Sequence, residues 1–149
     1  MITIRTARRE DVPLLFQMLR ASAVDQGSPE SLVVTEADLL EDGFGPQPRF
    51  LCVIAEVDMA PAGLALYYFD YSTWVSRTGL FLEDLYVDAK FRRAGVARAL
   101  LDHLAGVAKA KGCRRMVWLV HRANEPAVRL YRSFGAQSLD DWMLMAVKF

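Results

Sequence analysis

The chain has 149 residues, the length of one domain, and can bury a core without a metal or disulfide staple. Eighteen basic residues balance eighteen acidic ones, so nucleic acid and anionic lipid, which require a basic footprint, are disfavoured as main partners. A hydrophobic content of 53% with 24% charged residues excludes wholesale disorder.

Cys52 and Cys113 stand far apart, with no C-x-x-C pair, and neither His103 nor His121 has a ligand neighbour at zinc spacing. No metal site is expected, and the two thiols read as packing residues in a reducing compartment. Charges from Arg5 to Asp11 interrupt any signal-peptide core, and the longest uncharged run, Met59 to Phe69, is far below the roughly 20 residues that span a bilayer. The expectation is a soluble, cytoplasmic domain.

In chain order, Ile2–Thr6 alternates as a short edge strand. Glu10 to about Asp25 reads as a helix with Pro13 in its first turn and an apolar stripe of Val12, Leu15, Phe16, Leu19 and Ala23. Gln26–Leu32 is a loop, after which Thr35 caps a short helix with Asp38 at the box position and Gly43 as its stop. Phe50–Val57, Gly63–Asp70 and Gly79–Val87 are strands rich in β-branched and aromatic residues. Gly95–Lys111 is the strongest helix, with Ala97, Leu100, Leu101, Leu104 and Ala108 on one face. Met116–His121 is a strand, Glu125–Phe134 a helix capped by Asn124 and closed by Gly135, and Trp142–Lys148 a last strand. One mixed α/β domain over 1–149 accounts for the whole chain.

Three features carry chemistry. Arg92-Arg93-Ala94-Gly95-Val96-Ala97 opens the long helix, where unpaired N–H groups suit a phosphate; neither a Walker loop nor a dinucleotide fingerprint is present. By itself, a basic pair before such a glycine is more often an exposed turn. Glu83 and Asp84 sit in mid-strand, where alternation sends them to opposite faces of an apolar sheet. Burial of either raises its pKa toward that of a general base, and the competing reading is a structural ion pair. Tyr131 shares a helix face with Ala127, Leu130 and Phe134, which is the pattern of a core aromatic, although its hydroxyl is also a proton donor.

Together and in this order, Arg92-x-x-Gly95-x-Ala97 and Asn124-x-x-Ala127-x-x-Leu130-Tyr131-x-x-x-Gly135 resemble the signatures of the GNAT acetyltransferase superfamily. Thr35-Glu36-x-Asp38-Leu39-Leu40-Glu41-Asp42-Gly43-Phe44-Gly45, Tyr67-Tyr68-Phe69-x-Tyr71-Ser72-Thr73-Trp74 and Leu82-Glu83-Asp84-Leu85-Tyr86-Val87 are similar to the diamine (spermidine/spermine and thialysine) N-acetyltransferases. The resemblance implies a mixed, mostly antiparallel central sheet flanked by helices, and an acetyl-CoA-dependent enzyme acting on a small-molecule amine. It implies that the backbone from Arg93 through Gly95 and Val96 to Ala97 holds the pyrophosphate, with Arg92 and Arg132 in support. Leu85 and Val87 would bind the pantetheine arm, and Asn124 would place it. Glu83 is the implied general base through a water, and Tyr131 the acid for the departing thiolate. Asp84, Glu83 and Trp74 would receive the cationic amine, with Asp25 and Glu30 from the loop after the first helix. That loop is less acidic than in polyamine acetyltransferases, which favours a shorter amine. A homodimer is compatible with the resemblance. The alternatives are a GNAT enzyme for another amine (an amino acid, aminoglycoside or protein amino group) and a CoA-binding sensor without turnover; retention of both Glu83 and Tyr131 argues against the sensor.

Overall fold

The computed structural model describes all of residues 1–149, which fall into two compact units, Met1–Leu119 and Val120–Phe149. The first unit holds a five-stranded sheet in sequential order: β1 (Ile2–Thr6), β2 (Leu51–Val57), β3 (Ala60–Ser72), β4 (Arg77–Val87) and β5 (Met116–Trp118). The first four strands are antiparallel, and β5 joins β4 in parallel. β1 is an edge strand, as its short alternating pattern predicts. Asp58 and Met59 take positive φ in the two-residue turn that joins β2 to β3, the geometry that matches the twist of a hairpin.

Alternation along the strands builds two apolar layers. Cys52, Ile54, Leu64, Leu66 and Tyr86 pack with Leu15, Met18 and Leu19 of α1 (Val12–Asp25) and Leu39 of α2 (Glu36–Phe44). Their neighbours Val53, Ala55, Ala65, Leu80 and Leu82 are equally buried and face the other way, where α3 (Val96–Ala110) lays Val96, Leu100, Leu101, Leu104 and Ala108 on the sheet. Thr35 and Asp38 close the expected capping box at the start of α2. Gly43 does not stop that helix, which runs on to Phe44 with Gly45 at its end. The reason is packing: a Cβ on Gly43 would lie 2.5 Å from the Phe50 ring, so the glycine makes room for an aromatic residue.

In the second unit, α4 (Glu125–Phe134) starts at Asn124, whose Oδ1 accepts from the Ala127 N–H, and ends at Gly135 with φ 104°. Two strand expectations need correction. β5 ends at Trp118 rather than His121, and Trp142–Lys148 forms no strand, its Trp142, Met143, Leu144, Met145 and Val147 being exposed. Apolar composition makes a segment fit for a strand, but a ladder also needs a neighbour to share its hydrogen bonds. No helix is long and apolar enough to cross a membrane.

Candidate active site

A β-bulge sets the site. Leu66 of β3 lies opposite Asp84 and Tyr67 opposite Leu82, so Glu83 is the extra residue of β4. The inserted residue breaks alternation, and this overturns the expectation that the two carboxylates point to opposite faces. Leu82 faces α3, so alternation turns Glu83 to the α1–α2 side, and Asp84 is kept on that same side by its pairing with Leu66. The Glu83 charge accordingly acts on both Asp84 and Tyr68, which share that side.

Asp84 contributes to a cavity of about 160 Å³ whose walls are Ser22, Gln26, Ser28 and Ser31 with Leu19 and Leu32. Burial, and secondarily the neighbouring Glu83 charge, raise the Asp84 carboxyl from 3.8 to about 6. Glu83 itself is exposed. Of the acids read from the sequence as amine ligands, only Asp84 lines this cavity. Asp25, the last residue of α1, has its carboxylate bound to the Arg92 guanidinium, Glu30 is exposed on the turn Pro29–Ser31, and Trp74 is 83% exposed between β3 and β4. Sequence reasoning did not single out the serine wall, since hydroxyls in a Gly/Pro loop look like ordinary turn residues.

On the other edge, β5 pairs only with Leu80, Phe81 and Leu82, so β4 from Glu83 to Val87 has no strand beside it there. Arg92 Nε donates to the Val87 carbonyl at 3.0 Å. The turn that follows places Arg93 and Gly95 at φ 64° and 85°, and α3 begins with no side-chain cap on its first N–H groups. Alternating left-handed residues ahead of an uncapped helix aim several N–H groups at one point, an arrangement made for an anion. A Cβ on Gly95 would meet nothing within 4 Å, so the backbone there is open to a ligand. Arg92 is therefore a brace between Asp25 and Val87 rather than a cation held for the phosphates alone.

Within the second unit, Tyr131 is partly buried on α4, and burial raises its phenol above 10, which keeps the proton on at neutral pH. Arg132 is exposed in the last turn, and Asn124 spends its side-chain oxygen on the helix cap.

An open strand edge running into an uncapped helix start offers backbone hydrogen-bonding groups to an extended, anionic ligand, with acids on the adjacent sheet face. Residues 14–136 match the Acetyltransferase (GNAT) family. The chain belongs to the GNAT acetyltransferase family. It is an N-acetyltransferase. Over 146 residues it is 37% identical to the thialysine N-epsilon-acetyltransferase of Mus musculus, covering 93% of this chain and 85% of that one. The Caenorhabditis elegans protein of the same name is 46% identical over 129 residues, 86% of this chain and 78% of the relative. A solved structure of a probable acetyltransferase superposes with a TM-score of 0.81 at 24% identity, over 99% of this chain and 97% of the other, which shows a shared GNAT fold.

Proposed function

We propose that this GNAT enzyme moves an acetyl group from acetyl-CoA directly to a primary amine of a small cationic substrate of diamine or thialysine type. The observation that carries the reading is Asp84, an acid held near 6 in a small hydroxyl-walled cavity beside the open edge of β4. The similarity to thialysine N-epsilon-acetyltransferases supports the substrate class. Bound acetyl-CoA supplies the thioester whose acyl carbon the amine attacks. In this reading, the edge-facing backbone of Leu85 and Val87 holds the pantetheine arm as an added strand, alongside the Arg92 Nε donor already on the Val87 carbonyl. The N–H groups from Arg93 to Ala97, through Gly95 and Val96, hold the pyrophosphate, with Arg92, Asn124 and Arg132 in support.

Asp84 receives the ammonium group. Glu83, exposed at the bulge, takes its proton through a water, since an ammonium has no lone pair with which to attack. The C–N bond forms, backbone N–H groups at the bulge donate to the carbonyl oxygen as charge builds on it, and the C–S bond breaks. In the proposed step Tyr131 gives its proton to the departing sulfur, the acylated nitrogen releases its second proton to solvent, and Tyr131 is reprotonated from solvent. Trp74 offers a ring face to a substrate cation, and Asp25 and Glu30 add negative charge around the entrance.

Thiol release from acetyl-CoA, read with a thiol-reactive dye over diamines, polyamines, thialysine, amino acids and aminoglycosides, tests the proposal. Release with thialysine or short diamines is the expected result. Release confined to another amine discards the substrate class, and silence with tight acetyl-CoA binding replaces catalysis by sensing.

A further inference from the structure

One row across the sheet joins opposite charges that do not satisfy each other. Asp70 of β3 pairs with Gly79 of β4, and on the far side of Gly79 stands Arg115, the residue before β5, whose carbonyl accepts from the Leu80 N–H at 3.1 Å. Leu80 pairs with Met116 and faces α3, so Gly79 and Arg115 lie on the opposite side with Asp70, the side that also carries Asp84. Gly79 is what lets the acid lean over the row: a Cβ there would sit 2.3 Å from Asp70 Oδ1. Asp70 Oδ1 and Arg115 Nε are both buried, and neither has a hydrogen-bond partner. Both residues are only partly covered, so the rest of each polar group remains reachable. A carboxylate and a guanidinium with unsatisfied buried atoms carry a desolvation cost that a ligand of both signs removes.

From the Leu66–Asp84 row to the Asp70–Gly79 row is four residues along β3, or about 13 Å at about 3.3 Å per residue. Between them the Tyr68 and Phe81 rings stack at 5.1 Å and give an apolar floor. A lysine-shaped molecule has six bonds between its two nitrogens, about 7 Å when extended. Adding a charge-assisted hydrogen bond of about 2.8 Å at each end brings the span to about 13 Å.

We propose that Asp70 and Arg115 form an α-amino-acid subsite, Asp70 taking the α-ammonium and Arg115 the α-carboxylate of a substrate whose side-chain amine lies at Asp84. This rests on the acetyl-transfer reading above and narrows it: the preferred acceptor is a zwitterionic, thialysine-type amino acid rather than a simple diamine. The guanidinium is the specificity-determining group, since a diamine offers it nothing to bind.

The test compares thialysine with bis(2-aminoethyl) sulfide, which is thialysine without its carboxylate, as acceptors for the full chain with acetyl-CoA. Wild type is expected to prefer thialysine. Arg115→Gln should lower kcat/KM for thialysine about tenfold, mainly through KM, and leave the sulfide within about twofold. Asp70→Asn should weaken both acceptors. Arg115→Lys, which keeps the charge and loses the fork, should show part of the Arg115→Gln loss and serves if the glutamine variant does not fold. An equal effect of Arg115→Gln on the two acceptors, or no effect on either, makes the pair structural and overturns the subsite while leaving the acetyl-transfer reading intact. A wild-type enzyme that acetylates neither acceptor overturns both.

Discussion

Asp84→Asn should stabilise the protein and disable it at once. The folded carboxyl titrates at about 6 and the unfolded one near 3.8, which corresponds to about 3 kcal/mol. Between these values the unfolded chain releases its proton first, so it binds fewer protons than the folded chain and stability falls as pH rises. The loss is absent below about pH 3 and complete above about pH 7. An asparagine at 84 carries no charge, so at pH 8 the variant should gain up to about 3 kcal/mol, less whatever its amide leaves unpaired. For a chain of this length 1 kcal/mol moves Tm by about 2–4 °C, which gives a rise of several degrees at pH 8 that shrinks toward zero at pH 4. Thermal unfolding of both proteins across pH 4–8, without ligand, measures this difference, in which the titrating groups that do not interact with Asp84 cancel and only the neighbouring Glu83 remains coupled to it. The same variant should lose most acetyl transfer at pH 8. A Tm difference independent of pH, or a variant less stable than wild type at pH 8, refutes the argument that desolvation of Asp84 sets its pKa.

Three further outcomes follow, two of them from the proposed roles of Glu83 and Tyr131. Glu83→Gln removes a like charge beside Asp84, so the acidic limb of the kcat/KM profile should move to lower pH while kcat falls by about 10²-fold or more; a profile superimposable on wild type excludes Glu83 as the base. Tyr131→Phe should lower kcat by about 10²-fold with little change in acetyl-CoA affinity measured by calorimetry, and undiminished transfer removes Tyr131 from the mechanism. Thr35→Ala dismantles the capping box of α2, which contributes no wall to the Asp84 cavity, and should lower Tm while leaving kcat unchanged; a matching loss of kcat would tie that helix to the site.

The elements legible in the sequence are those whose signal is local. The i, i+3, i+4, i+7 stripe of α3, the Thr35–Asp38 box and the Asn124 and Gly135 ends of α4 are each written within a few residues of where they act. The uncapped turn into α3 was readable for the same reason, because Gly95 and the start of the helix are contiguous. What escaped depends on partners distant in sequence. The bulge exists only because Leu66 and Tyr67 of β3 skip Glu83, and without it alternation sends Glu83 and Asp84 apart. Gly43 could be told from a helix stop only by knowing where Phe50 packs. Asp70 and Arg115 form no motif at all; their relation passes through the empty side-chain position of Gly79 and a parallel register with β5. Trp142–Lys148 has the residues of a strand, but nothing in its own composition specifies a pairing neighbour.

The zero net charge of the chain is uninformative about its substrate because the charges are not shared evenly within the fold. Arg5 is consumed by Asp11 and Glu56, and Arg92 by Asp25, pairings that brace β1 against β2 and the turn before α3 against the end of α1. The bulge meanwhile places Glu83 and Asp84 on one face of the sheet, with Asp70 four residues farther along β3, and the pKa of Asp84 registers the Glu83 charge as repulsion. Two adjacent like charges and a half-buried acid are a standing cost to the folded state. A bound ammonium relieves that cost, so binding energy is available to the cation that a neutral side chain at 84 could not supply. If Asp84 receives the acceptor as proposed, the raised carboxyl is the same feature seen twice, as an instability of the free enzyme and as affinity for its acceptor, and a protein relieved of the first by substitution gives up the second.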